Sequence, residues 1–318
     1  MGHGRSAAIT HDGVSLPKAT PYWVDLAIFL GLTVLLMVVT WGKWPDIMSD
    51  FGRELYIPWR LAEGQVLYRD LFYLNGLLSP YYHALLFRVF GASLLTLVAS
   101  NLLVLALAVV LIYHIILELS DRRTAQAAAV VFLLLFGFGH LENSGNYNWI
   151  TPYSHELTHG LLLALALLAL LARDREHRPT GNLILAGLLY SLLFLTKVEI
   201  FVAATAMVLA WLVCLPREGR LWAIGIFLAA AVFPVVGFAF FLASQMEWQV
   251  ALRGLAGGWG HLLGAPLAGQ YFYRKLAGLD APGRNAAAFL AGNLSVLLLA
   301  AAAAGYDYYR HVQRSRRL

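Results

Sequence analysis

Long, predominantly apolar stretches alternate along this chain with short polar breaks, and that alternation predicts its elements. The apolar stretches run from about Val24 to Thr40, then over Leu94–Leu117, Ala125–Gly139, Leu157–Leu171, Leu183–Leu195, Ile200–Leu215, Leu221–Ala243 and Ala286–Ala304. A helix that spans a bilayer needs about 20 such residues. The pattern therefore predicts an all-α, polytopic integral membrane protein with about eight transmembrane helices, the third and fifth short. Pro234 predicts a kink in the seventh. Two long segments, 41–93 and 244–285, break the alternation. Within the first, Pro80–Phe90 is too short to span and is amphipathic, which predicts a helix lying in the interface. The expected organisation is one transmembrane domain over 1–318, with tails at 1–22 and 305–318. No internal repeat of the kind that builds many transporters is visible.

Composition agrees with the pattern. Sixty per cent of the residues are hydrophobic and only 13% are charged, about half the charged share of a soluble domain. The first apolar stretch has no small-residue cleavage site after it and reads as a retained helix. Cys214, the one cysteine, excludes an internal disulfide and a cysteine-based zinc cage.

Charge then orients the bundle. Lys and Arg gather at 122–123, 173–178, 217–220 and 310–317, while 140–154 has none. Cytoplasmic loops carry the basic excess, so both termini are expected inside and 41–93, 140–154 and 244–285 outside. The net charge of +5 is accounted for by that rule and by anionic lipid beside the basic tail, not by nucleic acid.

The 41–93 segment mixes acids, arginines and aromatics. Asp46, Asp50 and Asp70 lie in it, with Asp25 at its lip. From the residues alone, Asp50 reads as a cap for a helix beginning near Phe51. Glu54 shares a helical face with Asp50; it suits a metal, an acceptor, or a pair with Arg53 or Arg60. Asp70 suits a turn.

A second signal is Asn146–Gly160. Thr151 and Pro152 predict a helix start, and His155-Glu156-Leu157-Thr158-His159 then forms H-E-x-x-H, the zinc metalloprotease pattern. A protease would need a third ligand. The nearest candidate, Asp280 in Leu279-Asp280-Ala281, lacks the usual following Gly. The other reading is that the histidines are helix-end polar groups bonded to neighbouring loops. Thr196-Lys197-Val198-Glu199 places a cation and an acid between two apolar helices, costly unless paired or functional. The glycines at 254, 257, 258, 260 and 264 predict mobility in the second long segment.

The order Asp50, Leu61-Ala62-Glu63-Gly64, Tyr68-Arg69-Asp70, Pro80-Tyr81 and Phe90-Gly91-Ala92-Ser93 resembles the first extracytoplasmic loop of GT-C glycosyltransferases. The likeness is to the family 39-like, dolichyl-phosphate-mannose–protein mannosyltransferase-like members, which are often longer at the C-terminus. Leu77 stands where that family often has Pro. The Pro152–Gly160 stretch and the Leu-Thr-Lys-x-Glu-like turn at 195–199 resemble later loops of the same family. The resemblance implies a bacterial plasma-membrane enzyme with its active site outside. It would move sugar from a polyprenyl-phosphate donor to a lipid, glycan or protein acceptor. It implies Asp50 as base, assisted by Glu54, and Lys197 as the phosphate contact, with Asp70, Tyr153 and Glu199 on the substrates. His155, Glu156 and His159 would join that site, with a divalent metal ion as candidate cofactor. The rivals are an intramembrane zinc protease and a non-catalytic lipid-binding subunit.

Overall fold

The computed structural model describes residues 21–43, 51–139, 148–173, 179–259, 271–276 and 278–315. Asp46, Asp50, Gly260 and Gly264 lie outside them. The described residues form helices and connecting turns, divided between two compact units, 1–255 and 256–318.

In the first unit, α1 (Tyr22–Thr40), α4 (Leu94–Leu119), α6 (His155–Arg173) and α9 (Arg220–Ala243) take up four of the expected spans. By length and composition these four can cross a membrane; α7 (Thr180–Phe194) and α8 (Val198–Cys214) are apolar but shorter. The third expected span is α5 (Arg122–Phe132) continued by a π-helical turn, Leu133–Gly137. Large apolar side chains stand exposed on these helices, among them Leu30, Val213, Leu221 and Phe233. Such a belt suits hydrocarbon, where only a closed backbone ladder is tolerated.

The first long segment folds into α2 (Gly52–Ala62) and α3 (Leu78–Phe90). Gly91, at φ +88°, ends α3, and Ser93 caps α4 by accepting from Thr96 N at 3.1 Å. These are the conformational roles expected of Gly after a helix and Ser before one. Leu61, Leu67 and Leu77 are buried against Leu195 of the α7–α8 turn, Leu242 of α9 and Ala251 of α10 (Trp248–Ala256). Each such side chain contributes about 1.5–3 kcal/mol relative to exposure.

Backbone closes the same joint. Gly76 N donates to Thr196 O at 2.7 Å and Leu78 N to Leu195 O at 3.0 Å. A Cβ at Gly76 would lie 2.1 Å from the Leu195 oxygen, so only glycine fits there. Gly254 corrects the expectation of mobility drawn from its neighbourhood. It sits inside α10, and a Cβ would meet the Tyr68 ring at 2.4 Å. Here glycine permits close packing.

Opposite this joint, Asp25 of α1 is buried. It accepts from Tyr113 at 2.5 Å, Gln126 at 2.7 Å and Arg122 at 2.7 and 2.8 Å. A carboxylate inside an apolar bundle needs such satisfaction, and here it ties α1 to α4 and α5.

The second unit holds α11 (Tyr271–Leu276) and α12 (Pro282–Ser315), which contains the eighth apolar stretch. Asp280 accepts the Asn285 amide at 2.7 Å near the start of α12.

Candidate functional site

At the joined end of the first unit, α2, α3, the 148–154 turn and the start of α6 enclose a buried polar cluster. Helix α6 begins at His155, not at Pro152 as the sequence suggests. Asn148 Oδ1 accepts from the backbone N–H groups of Ile150 and Thr151 at 2.8 and 2.6 Å. That Asx-type turn holds the chain off the helical path for three more residues.

The cap of α6 comes from another helix. Glu54 Oε2, on α2, accepts from His155 N at 3.0 Å and lies 2.7 Å from His155 Nδ1. Its other oxygen accepts from Arg53 at 2.8 and 3.1 Å. A carboxylate at a helix N-terminus is favoured by the unpaired N–H groups and the dipole. Burial alone would raise the Glu54 pKa, but these hydrogen bonds and the Arg53 charge outweigh it and leave it below the ordinary value.

Asn101, a lone amide within apolar α4, fixes the histidine. Its Nδ2 donates to Ile150 O at 2.9 Å and lies 3.0 Å from His155 Nε2. Since the amide nitrogen faces the carbonyl, His155 Nε2 must accept and Nδ1–H must donate to Glu54. Both ring nitrogens of His155 are thus used.

Glu156, fully buried, accepts from Ser154 Oγ at 2.8 Å and from the Tyr73 hydroxyl. Burial and the neighbouring Glu156 push the Tyr73 pKa well up, so Tyr73 remains a donor. His159 Nδ1 meets Ser79 Oγ of α3 at 2.9 Å. His83, also of α3, packs its ring 4.3 Å from His155 and 5.1 Å from His159, centroid to centroid.

The H-E-x-x-H thus spreads its three side chains over different partners. Among the described residues no group of three or more His, Cys, Asp or Glu is arranged to hold a metal ion. The donor atoms of His155 and Glu156 are turned to Glu54, Asn101, Tyr73 and Ser154, and His159 Nδ1 to Ser79, while His159 Nε2 is buried without a hydrogen-bond partner.

The outer edge of the cluster is cationic. Arg53 Nη2 donates to Tyr153 O at 3.1 Å, and Lys197 Nζ donates to the Tyr153 hydroxyl at 3.1 Å. The Lys197 ammonium also lies 4.9 Å from the centre of the Tyr153 ring, a cation–π distance. Lys197 does not pair with exposed Glu199, and no carboxylate among the described residues neutralises it.

No family model, curated protein or solved structure matches the chain.

The site residues expected from sequence fall into three groups. Glu54, Tyr153, His155, Glu156, His159 and Lys197 come together at one end of the first unit, with Arg53 beside them, whereas Glu199 near Lys197 is exposed. Asp70 lies apart: it accepts from Val66 N at 2.8 Å and pairs with Arg69, whose Nη1 reaches Gln245 O at 2.7 Å. It closes its own turn. Asp50 lies outside the described residues, but the next residue, Phe51, is buried against Phe87 and Leu97. Tyr73, Ser79, His83 and Asn101 were not singled out from sequence. Asn101 could have been, as a lone amide in a spanning stretch; Ser79 and His83 share a face four residues apart.

Burial, with His155 and His159 beside it, depresses the His83 pKa well below its ordinary 6.5. The folded form therefore binds fewer protons than the unfolded one below about pH 6.5, and stability falls as pH drops. The stability is fully present above 6.5 and lost on the way down to the folded pKa. We expect melting in detergent to soften between pH 7 and 5. His83→Gln should flatten that slope by up to about 1.4 kcal/mol per pH unit. A slope unchanged by the substitution would place His83 in water.

Proposed function

We propose that this chain is a membrane glycosyltransferase of GT-C type, moving a sugar from a polyprenyl-phosphate donor to an acceptor hydroxyl on the extracytoplasmic face. One observation carries the reading. The first long segment folds back so that Arg53 and Lys197, which no carboxylate among the described residues pairs, meet at Tyr153 near the start of α2. A cation without a carboxylate partner at a bundle end, Lys197, suits a phosphate that must be held as it leaves.

In this mechanism Asp50 takes the proton of the acceptor hydroxyl. The acceptor oxygen bonds to the anomeric carbon, and the bond from that carbon to the phosphate oxygen breaks. The electron pair leaves on polyprenyl phosphate, whose charge Lys197 balances beside the Glu54-paired Arg53. Glu54 is a positioning residue: both its oxygens are taken, so it holds Arg53 and the head of α6 in place. The H-E-x-x-H serves as the internal brace of the site, with no step assigned to a metal.

The test is binding of a polyprenyl-phosphate sugar to purified protein. Lys197→Ala should raise the donor dissociation constant on the order of ten- to a hundredfold, as expected for one charge-assisted contact. The loss should be larger at low salt. Equal affinity in wild type and Lys197→Ala would remove the phosphate role. Metal-dependent peptide cleavage abolished by Glu156→Gln would replace the reading with a protease.

A further inference from the structure

At the far end of α2 from Glu54, a pocket of about 200 Å³ opens between the C-terminal end of α2, helix α3 and the C-terminal end of α9. Eight residues at 1.5 Å each put it about 12 Å along the helix from the cluster. Half of its wall is polar, from Gln65, Tyr81, Arg88 and Gln245, and half is apolar, including Leu85 and Phe241.

Three features of that wall point to an anion. Arg88 donates from Nε to Ala62 O at 3.2 Å and from Nη2 to Leu61 O at 3.1 Å. Those bonds cap α2 and fix the guanidinium, yet no carboxylate among the described residues pairs with it. The Tyr81 hydroxyl is buried beside the Leu67 backbone, and its own proton has no acceptor in the protein. Gln65 gives its oxygen to Arg60 at 3.2 Å, leaving its amide N–H groups to donate. A fixed, acid-free guanidinium beside an unused hydroxyl proton and amide is a phosphate-binding chemistry.

Depth selects the source of the phosphate. Phe241 lies in the last turn of the spanning helix α9, which ends at Ala243, and Gln245 lies just beyond it. The pocket thus straddles the level where hydrocarbon gives way to headgroups, with exposed Leu85 on its apolar side. We propose that it holds the phosphate headgroup of an anionic membrane lipid. The phosphate sits on Arg88, Tyr81 and Gln65, and the glycerol and upper chains lie on Leu85 and Phe241. This lipid is distinct from the sugar donor and does not depend on the glycosyltransferase reading.

The experiment is lipid binding to delipidated, detergent-solubilised full-length protein, using phosphatidylglycerol and phosphatidylcholine. Wild type should bind phosphatidylglycerol about tenfold more tightly, the scale of one charge-assisted contact. Arg88→Gln should abolish that preference. Because Arg88 also caps α2, Tyr81→Phe is the second variant. It deletes a hydroxyl whose proton has no protein acceptor, so the lipid-free melting temperature should fall by no more than a degree or so while phosphatidylglycerol affinity falls about tenfold. Equal affinity for both lipids, or Tyr81→Phe binding phosphatidylglycerol like wild type, would overturn the proposal. Displacement by millimolar inorganic phosphate would assign the site to free phosphate and equally overturn the lipid.

Discussion

Glu54→Ala should destabilise the first unit by about 3–5 kcal/mol, the usual cost of removing one partner from a buried ionic contact. In detergent this corresponds to a loss on the order of ten degrees in melting temperature. The substitution strands the His155 backbone N–H, the His155 Nδ1–H and the inner face of Arg53, all of which meet this one carboxylate. Glu54→Gln keeps an acceptor oxygen and should lose markedly less. The two variants together separate charge from hydrogen bonding. An alanine variant melting within a degree of wild type would mean that α2 does not cap α6.

The second large effect is chemical. Asp50→Asn should lower sugar transfer by about two to four orders of magnitude, the range for a general base. Donor affinity should stay nearly constant, because the cations and the lipid contacts that hold the donor are unchanged. Lys197→Ala gives the opposite signature, weakening the donor first. Near-normal transfer by Asp50→Asn, with a verified lipid-linked sugar, would leave Asp50 as a helix cap and remove the catalytic reading of the loop.

Much of the helical frame was legible because a run of about 20 apolar residues has few alternatives in lipid. Helix α3 was legible from its amphipathic pattern, which places it at Pro80–Phe90 against the observed Leu78–Phe90. What escaped was set by partners distant in sequence. Thr151-Pro152 carries a good local start signal, but Asn148 competes for the Thr151 N–H and Glu54 supplies the cap at His155. Glycine was ambiguous for a related reason: the residue that loosens an exposed loop also admits the Tyr68 ring at Gly254. H-E-x-x-H spacing places two histidines on one face but does not decide whether their nitrogens converge or turn to neighbouring helices.

The cap on α6 also sets a timetable for biogenesis. Glu54 and His155 are 101 positions apart, and ribosomes add about 5–20 residues per second. The carboxylate therefore emerges roughly 5–20 s before the helix end that it will cap. During that interval its burial would be unfavourable, so the α2 segment must wait in water while α4 and α5 insert. Docking of the first loop is then a late step, triggered by arrival of α6. A nascent chain stalled before residue 155 should leave α2 open to proteases, and one stalled well beyond it should protect α2.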